Sequence, residues 1–159
     1  MKAASLLALS ALVLLTFTVG GCATGPNYHA KLTGDQVVPP VKTQATGELA
    51  LHVNPDATEM KYDLTVHNLH NVRAAHIHLG KSGANGPEVM PLYTLPKTGQ
   101  KEARVEGKLA SGTLTSKDLM GELQGRSLQA LIDEIRAGRA YVQVHTEQNP
   151  DGEIRGQVE

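Results

Sequence analysis

The stretch AHIHLG (residues 75–80) alternates between apolar and polar side chains, and so does YVQVHT (residues 141–146). Successive side chains of a β-strand point to opposite faces, so this spacing predicts two strands that each have one apolar face. His76 and His78 share the polar face of the first strand, and His145 lies on the polar face of the second. The two stretches therefore predict a sheet with three imidazoles on the side away from its apolar face.

The segments that flank these two stretches show the same alternation, with turn residues between them. Residues 46–53 (TGELALHV) and 60–67 (MKYDLTVH) are separated by an Asn-Pro-Asp turn signal, so they predict a β-hairpin. Further strands are predicted at residues 73–79, 90–95, 102–109 and 153–158. Many short alternating strands joined by turns predict a mostly β, antiparallel sandwich or barrel.

One segment has helical rather than strand periodicity. Its apolar residues recur at the i, i+3, i+4 and i+7 spacing of an amphipathic helix: Leu128, Leu131, Ile132 and Ile135. Ser127 is suited to cap the amino-terminal end, and Gly138 is suited to the position just after the last turn. The pattern predicts one short helix near residues 128–137 that covers an open end or an edge of the sheet.

Residues 1–21 have the features of an export signal. Lys2 supplies a positive charge, and residues 3–19 are uncharged and rich in Leu, Ala and Val. Small residues precede Cys22, an arrangement typical of a bacterial lipoprotein signal that is cleaved before a cysteine that carries lipid. The alternatives are an ordinary signal peptide or a membrane-spanning anchor, although a span needs about 20 apolar residues. We expect a lipid-anchored protein of the bacterial cell envelope, periplasmic or associated with the outer membrane.

The composition narrows the chemistry that the chain can perform. Cys22 is the single cysteine, so thiolate metal sites and cysteine nucleophiles are excluded, and a metal ion must be held by imidazole and carboxylate groups. The formal net charge is −1, Trp is absent, and Phe17 is the single Phe. Because the chain lacks both a basic surface and a stacking platform, nucleic acid is not expected as a partner.

The three histidines of the predicted polar faces form the candidate site. Neutral imidazoles of His76, His78 and His145 on neighbouring strands can converge on one ion and leave a fourth position open. Imidazole-rich sites suit copper or zinc. In the alternative interpretation the three rings are structural and hydrogen-bond the loops beside the strands. The metal interpretation assumes that the two strands are neighbours.

Other polar residues near these histidines are candidates for supporting roles. His67 or His70 would supply an additional ligand. The candidate acceptors for hydrogen bonds from the ring nitrogens are Glu153, Asp151, Glu147 and the loop carbonyls near Gly80. Arg155 has two interpretations. It either pairs with a carboxylate such as Glu153 or Asp63, or it lies beside the histidines and attracts a small anion.

The chain resembles the CHRD domain, first described in chordin. The resemblance rests on AHIHLG, the glycine-rich residues 83–87, the end of the predicted helix and the long block YVQVHTEQNPDGEIRGQV, and it covers residues 31–158. Gln143 stands where the family often has Asn. The resemblance implies an immunoglobulin-like β-sandwich, but it implies no settled biochemical activity.

A more distant resemblance concerns the histidines alone. His76 and His78, followed by His145 on a later strand, are similar to the copper ligands of copper/zinc superoxide dismutase, which is also a β-sandwich. The bridging histidine, the zinc loop and the disulfide of that enzyme have no clear counterpart here. The resemblance implies a weak copper enzyme at most.

Together these observations predict a signal peptide at residues 1–21, a tether at residues 22–30 and a CHRD domain at residues 31–159. We expect the domain to bind a copper or zinc ion rather than to catalyse a reaction. The alternatives are a superoxide dismutase-like copper enzyme and an interaction module in which the histidines are structural. In the interaction module, a face or edge of the sheet would contact another envelope protein.

Overall fold

The computed structural model describes residue 25, residues 27–95 and residues 104–159, so the predicted signal peptide and Cys22 lie outside the described residues. The described part of the chain forms eight β-strands and one α-helix. In chain order they are β1 (Asn27–Thr33), β2 (Thr46–Val53), β3 (Glu59–Leu69), β4 (Val72–Leu79), β5 (Glu88–Thr94), β6 (Val105–Thr115), α1 (Leu128–Arg136), β7 (Ala140–Thr146) and β8 (Ile154–Gln157). Within these residues no helix is long and apolar enough to cross a bilayer.

All eight strands belong to one antiparallel sheet, in the order β5-β4-β7-β8-β1-β2-β3-β6. The sheet curls until its two edge strands, β5 and β6, contact each other. The hydroxyl of Tyr62 in β3, the neighbour of β6, donates a hydrogen bond of 2.6 Å to the carbonyl of Leu92 in β5 and helps to hold the curl closed. The prediction of a mostly β, antiparallel fold with one short helix is confirmed, in the form of a nearly closed barrel.

The core lies inside this curl, where the apolar faces of the strands meet. Leu49, Leu51 and Val53 of β2 are buried, as the alternation of residues 46–53 predicts, and so are Leu64 and Val66 of β3. Removing such side chains from water contributes about 25 cal/mol for each Å² of apolar surface, which makes this face the main source of stability. The hairpin predicted for residues 46–67 is confirmed by the register of β2 and β3.

The helix covers the core as its periodicity predicts. Its four apolar residues, Leu128, Leu131, Ile132 and Ile135, are all buried. Gly138 has a positive φ of 66°, which suits the residue that ends the helix. The predicted cap is wrong in one respect, because Ser127 occupies the capping position but its side chain accepts no capping hydrogen bond. The helix is therefore fixed by packing rather than by this hydroxyl.

The first strand begins earlier than the sequence suggests. β1 starts at Asn27, inside the segment expected to be a tether, and pairs with β2 from Asn27 to Thr33. The backbones of His29 and Glu159 also exchange two hydrogen bonds, of 2.8 and 2.9 Å. Ala30 and Leu32 are buried and Tyr28 is partly buried against the core, so the alternation of apolar and polar residues begins at Tyr28, within the segment predicted as a tether.

The two histidine-bearing strands are neighbours close to the β5 edge of the sheet. β4 pairs directly with β7, and the register places Ala74 opposite His145, His76 opposite Gln143, and His78 opposite Tyr141. The adjacency that the metal interpretation assumes is therefore present. The shared polar face is not open, however, because His78, Tyr141 and Gln143 are buried. The loop at residues 80–87 and the turn at residues 149–152 fold over it.

Candidate metal centre

Four side chains converge on the polar face of β4 and β7: His76, His78, Glu88 and His145. Each offers one ligand atom, and these atoms all lie within 4.8 Å of one another. The three ring centroids form a nearly equilateral triangle, with sides of 6.0, 5.6 and 5.6 Å. We call these four residues the His–Glu cluster. Sequence spacing predicted that the three histidines lie on polar faces of their strands, and in the structure the three rings are neighbours on one shared face.

Two of the imidazoles are held with a defined nitrogen facing the cluster. His78 Nδ1 lies 3.1 Å from the carbonyl oxygen of Gly86, and His145 Nδ1 lies 2.9 Å from that of Pro150. A carbonyl oxygen can only accept, so each Nδ1 carries the proton and each Nε2 carries a lone pair. This is the arrangement by which backbone carbonyls orient metal-binding imidazoles in proteins.

The nitrogens that face the cluster have no protein partner. Within the described part of the chain, six buried side-chain polar atoms lack a hydrogen-bond partner, and three of them are His76 Nδ1, His78 Nε2 and His145 Nε2. A buried polar atom without a partner costs about 1–3 kcal/mol. A metal ion bound among the three nitrogens would satisfy all of them at once. The donor set therefore fits copper or zinc.

Glu88 is the member of the cluster that the sequence analysis missed. Its Oε1 lies 3.5 Å from His76 Nδ1, too far for a good hydrogen bond, and its side chain is 41% exposed. The strand predicted at residues 90–95 excluded Glu88, but β5 begins there and pairs it with His78. The sequence contained one signal for Glu88 as a ligand: it is a carboxylate directly after the glycine-rich loop, at the start of an edge strand. The pairing of β5 with β4 was not predictable from spacing.

Arg155 has neither of the two roles that the sequence suggested. It is 1% exposed, its guanidinium carbon lies 3.5 Å from the centre of the Tyr141 ring, and its N–H groups donate to the loop at residues 80–87. Asp63 pairs with Lys108 instead. Because its guanidinium interacts with the Tyr141 ring and the loop, Arg155 is a buried clamp between them. It is not a surface group that attracts anions.

Glu153 also lies elsewhere than expected. It is buried, and its two carboxylate oxygens accept hydrogen bonds from the hydroxyls of Thr43 and Thr146, at 2.8 and 2.7 Å. Backbone carbonyls, not Glu153, accept from the ring nitrogens of His78 and His145. The loop that follows Gly80, whose carbonyls were among the predicted acceptors, supplies the one from Gly86. The sequence could not choose between these carbonyls and a carboxylate, because every residue carries a carbonyl.

The two histidines proposed as additional ligands do not join the cluster. His67 lies on β3, where its Nδ1 contacts Glu106 Oε2 at 3.1 Å. His70 is exposed and lies in the connection between β3 and β4. The four ligand atoms that converge include neither of them.

Burial lowers the pKa of His76 and of His78 and so favours the neutral form of these two rings, the form that binds metals. The pKa of His78 is lowered to about 4, whereas Glu88 opposes the shift in the pKa of His76. Metal binding competes with protons for the ring nitrogens, so a lowered pKa favours occupancy at neutral pH. The site is therefore ready to bind a cation without first releasing protons from these two rings.

The lowered pKa of His78 predicts acid sensitivity of the metal-free protein. Between pH 6.5 and 4 the unfolded chain binds a proton at this position and the folded chain does not, so stability falls as the pH falls through this window. We expect the free energy of unfolding to drop by about 2 kcal/mol between pH 7 and pH 4.5. Urea unfolding of the wild type and His78→Gln at both pH values measures this, and an equal drop in both proteins would contradict it.

The cluster opens into a surface cleft of about 590 Å³. Its walls include Val38 and Pro39 on one side and Pro150 and Asp151 on another. This volume exceeds what a single ion fills, and pockets of this size bind small molecules. An ion held by the cluster would therefore have room for a further, exchangeable ligand.

Comparison with known proteins gives two matches. A family model described as the CHRD domain matches residues 28–158. Chordin from Danio rerio is 30% identical over an alignment of 135 residues, and the match covers 80% of this chain and 12% of that protein. The chain therefore spans only a small part of the length of this curated relative. No solved structure matches the chain significantly.

Proposed function

This chain belongs to the CHRD domain family, and we propose that its domain binds a single copper or zinc ion through His76, His78 and His145. Glu88 lies within the same group of ligand atoms and supplies a carboxylate oxygen. The observation that carries the proposal is the set of three buried ring nitrogens that face one another without a protein partner in the described residues.

The donor set decides between classes of metal. Three imidazole nitrogens and one carboxylate oxygen are typical ligands of Zn²⁺ and Cu²⁺, whereas Ca²⁺ and Mg²⁺ prefer oxygen alone. A given site of this kind binds Cu²⁺ more tightly than Zn²⁺. We therefore place copper first and zinc second.

The proposed role is binding rather than turnover. A bound copper ion would supply one-electron redox chemistry, as the resemblance to superoxide dismutase implies. However, the positive charge suggested for guiding an anion belongs to Arg155, which is 1% exposed and fully engaged by Tyr141 and the loop at residues 80–87. We expect the copper-loaded protein to dismutate superoxide no faster than the same concentration of free copper in buffer.

We also propose that the domain is held at the bacterial envelope by lipid on Cys22. The support is the apolar, uncharged segment at residues 3–19 followed by small residues and the single cysteine. Expression of the wild type and Cys22→Ser with a radioactive fatty acid tests this. We expect label on the wild type alone, and label on both proteins would place the lipid elsewhere.

Titration of the purified, chelator-stripped protein with Cu(II) or Zn(II) tests the metal proposal. We expect uptake of one ion per chain and a higher melting temperature, because an ion that binds only the folded state stabilises it. For Cu(II), electron paramagnetic resonance is expected to show hyperfine coupling to imidazole nitrogens.

The matched control for this titration is His67→Ala, which removes a histidine that contacts Glu106 outside the cluster. The control is expected to take up one ion as the wild type does. Failure of the wild type to bind either metal, with normal folding, would leave the interaction module as the better interpretation. The histidines would then orient the loops that cover the sheet, and a partner protein of the envelope would contact that surface.

A further inference from the structure

Gln143 lines the cleft into which the His–Glu cluster opens. It is the cross-strand partner of His76 on β4, and it precedes His145 by two residues on β7. Side chains in these positions share one face of the sheet, with Cβ atoms of opposed residues about 4.5–5.5 Å apart. Gln143 is 4% exposed and lines the cleft. It is therefore the buried polar side chain best placed to contact whatever binds the ion.

The orientation of the Gln143 amide is fixed by its surroundings. Its nitrogen donates to the carbonyl oxygen of Asp151. The reversed amide would place two acceptors against each other, so the hydrogen bond identifies which branch is nitrogen. The next residue along the turn, Gly152, has a φ of 122°, and a Cβ there would collide with the Gln143 amide. The turn thus holds the nitrogen and leaves the oxygen for another partner.

That oxygen has no partner of its own. Gln143 Oε1 is buried and accepts no hydrogen bond from any residue that the structure describes. Like the three ring nitrogens of the His–Glu cluster, it is a buried atom without a hydrogen-bond partner on a side chain that lines the cleft. An ion satisfies the ring nitrogens, but a carbonyl oxygen in this position accepts a hydrogen bond instead. A ligand on the ion that carries an O–H or N–H group would supply it.

We propose that Gln143 selects the exchangeable ligand on the bound ion, favouring protic ligands such as water over aprotic anions. This inference rests on the proposed function, because it requires an ion in the His–Glu cluster. A protic ligand donates to Gln143 Oε1, whereas an anion without a proton places its charge against the negative end of the amide dipole. Gln143 is a positioning residue in this role.

Azide binding to the Cu(II)-loaded protein tests the selection, because azide is an aprotic anion whose copper complex has its own absorption band. We expect Gln143→Leu to bind azide about fivefold to tenfold more tightly than the wild type, since the variant removes the opposed carbonyl oxygen. The affinity for Cu(II), measured by competition with a chelator, is expected to fall by less than about tenfold, because the three ring nitrogens remain, although the turn that supplies the Pro150 carbonyl to His145 loses its bond to Gln143.

The matched control is Gln157→Leu. Gln157 also donates its amide nitrogen to backbone carbonyls and also has a buried oxygen without a partner in the described residues, but it does not line the cleft. Its azide affinity is expected to equal that of the wild type.

Gln143→Glu tests the opposite direction and remains informative where Gln143→Leu fails to fold. It retains an acceptor and adds negative charge, so azide is expected to bind more weakly than to the wild type.

The outcomes separate this inference from the proposed function. Copper uptake with equal azide affinity in the wild type and either Gln143 variant would overturn the role of Gln143 and leave the metal site intact. A wild-type protein that takes up no copper would overturn the metal site, and with it the premise of the selection.

Discussion

Replacement of His78 by alanine is expected to lower the affinity for Cu(II) or Zn(II) by more than about a hundredfold. His78 is 5% exposed, its Nδ1 is held by the Gly86 carbonyl, and its ring stacks on Tyr141 with 4.9 Å between centroids. These contacts leave its Nε2 facing the other two imidazoles. Loss of a residue that merely orients a ligand costs 10–100-fold in affinity, so loss of the ligand itself costs more.

Competition against a chromophoric chelator at pH 7 measures this affinity. His67→Ala is the control for the loss of one imidazole, and it is expected to match the wild type because His67 contacts Glu106 on another part of the sheet. Circular dichroism of the metal-free His78→Ala protein verifies that the variant is folded. A folded variant with wild-type affinity would show that the ion, where it binds, uses other ligands.

Replacement of Arg155 by leucine is expected to have the largest effect on stability. The guanidinium donates to Asn85 Oδ1 and to the carbonyls of Lys81 and Ala84, at 3.1, 3.1 and 2.8 Å, and it lies over the Tyr141 ring. Hydrogen bonds to a charged group contribute about 1.5–3 kcal/mol each when buried, and part of this is recovered when the exposed loop binds water. We expect the free energy of unfolding to fall by about 3 kcal/mol.

The same substitution is expected to weaken metal binding about 10–100-fold, although Arg155 touches no ligand atom. The loop that it clamps also supplies the Gly86 carbonyl that orients His78. Urea unfolding and chelator competition on the same preparation measure the two effects. Arg139→Leu is the control, because Arg139 is an exposed arginine paired with Glu134, and its loss is expected to cost less than about 1 kcal/mol. Equal stability of the two variants would contradict the clamp.

Alternation predicted the strands whose two faces meet different environments. β2 was predicted at residues 46–53 and lies there, because Leu49, Leu51 and Val53 face the core and the intervening residues are more exposed. The start of β1 was missed because its alternation, with Tyr28, Ala30 and Leu32 on one face, begins directly after Gly25 and Pro26, in the segment interpreted as a tether. Alternation also indicated that Tyr141 and Gln143 share a polar face, but it could not show that this face is buried under loops. Their burial depends on contacts between residues far apart in the chain.

The candidate site was also predictable in part, because strand periodicity shows which side chains share a face. The spacing of His76 and His78 fixes their common face, and the register of β4 against β7 brings His145 beside them. Register is a property of pairs of strands, so no single stretch of sequence contains it. Glu88 and the clamp made by Arg155 depend on how β5 and the loop at residues 80–87 pack, which local patterns do not record.

The curl of the sheet has a consequence for self-association. An exposed edge strand offers a row of unpaired backbone donors and acceptors that can template aggregation. Here the edge strands β5 and β6 contact each other, and Pro91 in β5 lacks an N–H group that another chain could bond. Fibril-like stacking of whole molecules through these strands is therefore obstructed by the shape of the barrel, independently of any surface charge.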